Sequence, residues 1–190
     1  AASRMIGFYL AFMAVLLAGF GARDQVLVAG LVRAQGARPG VLIVALLVTI
    51  ATALFAAWAA STVAPLLSPR ARVFLAATAL VFAGVEALLL PMVARVPKEP
   101  TLSLGALAIA LVAFQAVDAA RFLVFAITVA TSAPVLPALG GVLAGGALLF
   151  GAWFAPEVAL NRWTRPLRKL VGGILLIVGI VLGLRTTVFL

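Results

Sequence analysis

Residues 18–30 read AGFGARDQVLVAG, which sets Arg23 and Asp24 side by side inside a long apolar run. Residues 113–126, AFQAVDAARFLVFA, hold Asp118 and Arg121 in equally apolar surroundings. An Asp, Arg or Lys at the centre of a bilayer costs about 2.5–3.5 kcal/mol on insertion scales, so two acids and two bases facing lipid would cost roughly 10 kcal/mol. These four side chains are therefore expected to face a protein interior or a water-filled cavity.

That cost presumes a membrane, and the rest of the chain supplies the reason. Of the 190 residues 66% are hydrophobic and only 10% charged, with a mean hydropathy of +1.30. A soluble domain of this size could not keep so much apolar surface from water. A helix needs about 20 apolar residues to cross the hydrocarbon core. Such stretches run from about Met5 to Ala34, Val41 to Val63, Val73 to Val93, Thr101 to Thr131, Val135 to Phe154 and Leu170 to Leu184. The expected fold is an all-α integral membrane protein of six transmembrane helices, with the lipid bilayer as its main partner.

Several function classes drop out. The chain has no Cys and no His, which removes disulfides, thiolate or imidazole metal sites and Ser-His-Asp triads. No nucleophile-base pair is visible, so no enzyme is expected. The net charge of +9 lies mostly between apolar runs, as the positive-inside rule places it. It forms no stripe with interleaved aromatics, so nucleic acid is not an expected partner.

The two halves repeat. Asp24 and Asp118 are 94 positions apart, as are Val41-Leu42 and Val135-Leu136. FAAWAA from Phe55 matches FGAWFA from Phe150 at an offset of 95, and the stretch from Ser68 matches that from Arg165 at 97. Residues 1–94 form a first three-helix unit, 95–100 a central polar loop and 101–190 a second unit. A unit with an odd number of spans emerges on the side opposite its start, so its copy is inserted upside down. Such inverted-topology repeats are common in secondary transporters, whose site lies near the midplane between the repeats. Arg33, Arg38, Arg95, Lys98, Arg162, Arg165, Arg168 and Lys169 fall on one side, against Arg4, Arg70, Arg72 and Arg185 on the other. This places the central loop in the cytoplasm and both termini outside.

Pseudo-symmetry would bring Asp24 and Asp118 together as two carboxylates on one cation. Gln115, one turn before Asp118, could add its amide oxygen. The competing structural reading is that Arg23 pairs with Asp24, and Arg121 with Asp118 three residues earlier on the same helix face. Glu86 either lies at depth near the site or pairs with a basic loop. Gly141 and Gly145, like Gly179 and Gly183, are spaced for close helix packing.

In these stretches the chain resembles the TMEM165/GDT1 family, also called UPF0016. That family is built as two repeats of three helices, each with an E-x-G-D-[KR]-[ST] motif in its first helix. FGARDQVLVAGLVRAQGARPGVLI has the shape of the first motif and FQAVDAARFLVFAITVATSAPVLP that of the second. The resemblance covers nearly the whole chain. It implies a bacterial inner (plasma) membrane transporter of divalent cations, Mn²⁺ or Ca²⁺, in exchange for protons. Asp24 and Asp118 would then be the metal-binding residues, Gln115 an auxiliary ligand, and Arg23 and Arg121 gates or counter-charges. Of the motif only the aspartates stay: Gly21 and Gln115 stand at the Glu positions, and Arg23 and Val117 at the Gly positions. Two further readings follow from that departure: a LysE-like exporter of a different small solute held by Arg23 and Arg121, or a transport-inactive membrane partner protein.

Overall fold

The computed structural model describes residues 2–89 and 102–188, so the central loop at 95–100 lies outside the described residues. The order is α1 (Ala2–Gly19), α2 (Arg23–Gln35), α3 (Pro39–Val63) with a 3-10 turn at Ala64–Leu66, α4 (Pro69–Leu89), α5 (Leu104–Ala116), α6 (Ala119–Thr131), α7 (Val135–Phe154), the short α8 (Pro156–Ala159) and α9 (Thr164–Val188). No strand occurs among the described residues. Local signals set several ends. Gly36, at φ 80°, follows α2, Pro39 opens α3, and Ser103 caps α5 by accepting from Ala106 N at 3.2 Å.

Among the described residues, four elements are long and apolar enough to cross a membrane: Pro39–Leu66, Pro69–Leu89, Val135–Phe154 and Thr164–Thr187. The count rises to six if each of two bent pairs makes one span. Large side chains such as Phe55, Trp58, Leu47, Phe154, Leu170 and Ile177 lie exposed on the outside. Such helices suit an integral membrane protein, whose outer face meets lipid rather than water.

The bent pairs correct an expectation. The first and fourth apolar stretches are not continuous helices through their charges. Both break beside the aspartate, with a bend of 58° between Met5–Gly19 and Arg23–Gln35 and of 53° between Leu104–Ala116 and Ala119–Thr131. At the first break Gly21 has φ 71°, a left-handed conformation open to glycine and strained for most residues. The Gln25 side chain closes this turn. Its Oε1 accepts from Gly21 N at 3.1 Å and its Nε2 donates to Gly19 O. At the second break Val117 leaves the helical region (φ −117°, ψ 23°) and Asp118 is extended (φ −90°, ψ 145°). Apolar periodicity does not reveal such a kink, because the apolar run continues through each break in the sequence.

Glycines set the packing. Gly145 of α7 faces Thr49 of α3, and Gly140 of α7 lies against the α1 backbone at Phe8. Helices α4 and α9 run antiparallel and pack backbone to backbone. A Cβ on Gly84 would come 2.6 Å from Leu176 N, and one on Gly179 would come 2.8 Å from Val81 N. The close packing expected of Gly141, Gly145 and Gly179 is met, whereas a Cβ on Gly183 would meet only Ala77 at an ordinary 3.8 Å. Helix α9 begins at Thr164 rather than near Leu170, which draws Arg165, Arg168 and Lys169 out of the expected loop and into a helix.

Candidate ion site

The two breaks bring helix ends into the interior, and the buried charges gather there. Asp24, Glu86, Asp118, Arg121 and Arg168 are each at most 6% exposed, and the Arg23 side chain is 18% exposed. Three acids thus face three bases, for a net charge of zero.

One hydrogen-bonded group centres on Gln115. Its Nε2 donates to Asp24 Oδ2 at 2.9 Å and to Thr49 Oγ1 at 3.0 Å. Its Oε1 accepts from Arg121 Nη2 at 2.5 Å and lies 2.8 Å from Thr52 Oγ1. Arg121 Nε in turn donates to Thr52 Oγ1 at 2.9 Å. Asp24 Oδ1 accepts from Gln25 N at 2.8 Å, in the first turn of α2, where the helix dipole favours a negative charge. This chain of bonds ties α2, α3, α5 and α6 together. Gln115 therefore serves Asp24 of the other half rather than Asp118 of its own, contrary to the expectation from spacing.

The second group centres on Glu86 and Arg168. Arg168 Nη2 lies 2.5 Å from Glu86 Oε2 and 3.6 Å from Asp118 Oδ1, and its Nη1 donates to Ala18 O at 3.0 Å. Glu86 Oε2 also accepts from Ala119 N at 3.2 Å, so Glu86 rather than Asp118 caps α6. Arg23 Nη2 faces Glu86 Oε1 at 3.7 Å, and the Arg23 guanidinium stacks 5.3 Å from the centre of the Phe114 ring. Neither Arg23 Nη2 nor Glu86 Oε1 has a hydrogen-bond partner among the described residues.

Neither intrahelical pair of the competing structural reading forms. Within 4 Å Arg23 meets Glu86 and not Asp24, and Asp118 meets Arg168 and not Arg121. The physical reason is the breaks. Arg23 and Asp24 are neighbours on the first turn of α2 and diverge around it. Asp118 is the extended residue before α6, which takes it off the face that carries Arg121. Sequence reasoning missed Arg168 as a site residue and placed Glu86 only as one of two alternatives. Arg168 sits in a basic run that reads as a loop, and no local signal separates it from Arg165 or Lys169.

Asp24 and Asp118 come together after all. Both line one small cavity with Gly19, Gln25, Arg121 and Gly145. Its volume, about 10 Å³, is that of one water-sized sphere. A separate apolar cavity of about 670 Å³ lies between α3, α4, α5 and α6, with Thr52 and Arg121 among its lining residues. Among the described residues no group of three or more Asp, Glu, His or Cys is arranged to hold a metal ion. Comparison with protein-family models, curated proteins and solved structures yields no match for this chain.

Proposed function

We propose that this chain is a GDT1-like secondary transporter of small cations, coupled to protons, with its site between the two helix breaks. The observation that carries this reading is that each half breaks beside an aspartate and that Asp24 and Asp118 line the same ion-sized cavity. Discontinuous helices are how transporters expose backbone carbonyls and helix ends to an ion at membrane depth. The matched breaks also support the reading of two three-helix repeats of inverted topology, six spans in all.

Charge balance shapes the substrate. Mn²⁺ or Ca²⁺, the cargo that the family resemblance suggests, wants about six oxygen ligands and compensating negative charge. Two carboxylates opposed by arginines fall short of that. A cation can enter only as a guanidinium or a proton leaves, which is the physical basis for exchange. Arg121, held by Gln115 beside Asp24, acts here as a counter-charge.

Flux into proteoliposomes tests the reading. With an imposed pH gradient, uptake of Mn²⁺, Ca²⁺ or an alkali cation is expected, and Asp24→Asn and Asp118→Asn are expected to abolish it. Absence of flux for every one of these ions would overturn it.

One observation favours a second reading, a transport-inactive partner protein. Asp24 and Glu86 already accept backbone N–H groups at helix starts, and all three acids have basic or amide partners. On that reading Asp24→Asn lowers thermal stability in detergent and no cation ever raises it. A saturable rise in Tm with added cation counts against it, because a ligand that binds the folded state stabilises by mass action.

A further inference from the structure

Arg168 heads the large side chains that are fully enclosed, with 2% exposure. Its guanidinium touches three oxygens: Ala18 O, Glu86 Oε2 and Asp118 Oδ1. Ala18 lies in the last turn of α1, where the break frees its carbonyl from the helix ladder and the dipole is negative. A freed carbonyl at a half-helix end together with carboxylates is the kind of ligand set that holds a cation in a discontinuous membrane helix. A fourth oxygen, Glu86 Oε1, is buried beside this position without a hydrogen bond among the described residues.

We propose that Ala18 O, Glu86 and Asp118 form a position for a singly charged cation, held in this conformation by the Arg168 guanidinium as a tethered occupant. The proposal rests on the transporter reading above for its role in the cycle: the transported cation takes the position when Arg168 withdraws. The guanidinium stands in for that ion. With Arg168 out, Asp24, Glu86 and Asp118 face only Arg23 and Arg121, so the local charge is −1. One positive charge restores neutrality, whereas a divalent ion leaves an excess of one unless Arg121 also departs. Arg168 enters on α9, which packs almost wholly on α4 and touches the broken helices only lightly. Because α4 carries Glu86 and meets α9 backbone to backbone at Gly84 and Gly179, the guanidinium leaves by a swing of its own side chain and not by separation of the two helices.

The test is chemical rescue in detergent, with methylguanidinium as the probe. In Arg168→Ala the head-group space is vacated. Low-millimolar methylguanidinium is expected to raise the Tm of this variant saturably, to leave the parent protein unmoved, and to do nothing for Glu86→Gln/Arg168→Ala. If Arg168→Ala does not fold, Arg168→Gln carries the same comparison. The absence of saturable rescue in the folded variant, or equal rescue when Glu86 is neutral, would overturn the proposal. A second readout separates competition from mere support: Arg168→Gln lowers the apparent KM for the transported cation if Arg168 competes for the position, and an unchanged or raised KM speaks against it. Flux distinguishes the two proposals. Rescue without flux in the parent protein removes the transporter reading and leaves the cation position; flux without rescue removes only the position.

Discussion

Glu86 has most of its weight as a partner. It neutralises Arg168, faces Arg23 and caps α6 at once. Removing one member of a buried ion pair costs about 3–5 kcal/mol, because the other is left charged and unpaired. Glu86→Leu is therefore expected to lower stability by that order, and adding Arg168→Met to it should recover much of the loss. Unfolding of both variants in denaturant checks this, and a double variant no better than the single would show that the pair is not the source. Gly21 is decided by backbone rather than charge. Its φ of 71° means that Gly21→Ala should cost about 1–2 kcal/mol through left-handed strain, read as a fall in Tm. An acid placed there would meet the same strain, so Gly21 serves as the hinge of the break.

Elements are held together by what their small residues allow. Helices α4 and α9 meet at Gly84, Gly172 and Gly179, where an added Cβ would sit 2.6–2.8 Å from the nearest atoms of the opposite helix. Gly84→Ala or Gly179→Ala is expected to part the two helices and lower Tm. Gly151→Ala and Gly173→Ala are the controls, since nothing lies within 4 Å of a Cβ there. They should be neutral or stabilising by about 0.5–1 kcal/mol, as alanine is the better helix former. If all four behave alike, the contact is not what orders α9. Because Arg168 rides on α9, the tight variants should also weaken its hold on Glu86 and change the cation response.

The whole molecule is a set of apolar helices wrapped around a neutral cluster of six charges. A bilayer provides no water to solvate a stray ion, so each charge must find its partner inside, and partners come from both halves of the chain. Gln115 reaches across to Asp24, and Arg168 reaches across to Glu86. Separating the halves should therefore disrupt the site. If residues 1–94 and 101–190 are expressed as two chains, cation-dependent stabilisation should appear only when both are present. Stabilisation of either half alone would show that the site does not need the cross-repeat bonds.

Composition by itself determined the class of molecule. Long apolar runs admit only helices where no water satisfies the backbone, and charges at depth had to be interior. The duplication of Asp24 and Asp118 was legible too, since it is a matter of spacing in the chain. Tertiary structure alone decided how those charges are paired. Pairing depends on where each helix breaks and on which helix lies opposite, and neither is encoded in local periodicity. Gly21 and Val117 turn the chain by more than 50° at the two breaks. That turn parts Arg23 from Asp24 and Arg121 from Asp118, and it frees the Ala18 carbonyl and the Asp118 carboxylate that face Arg168.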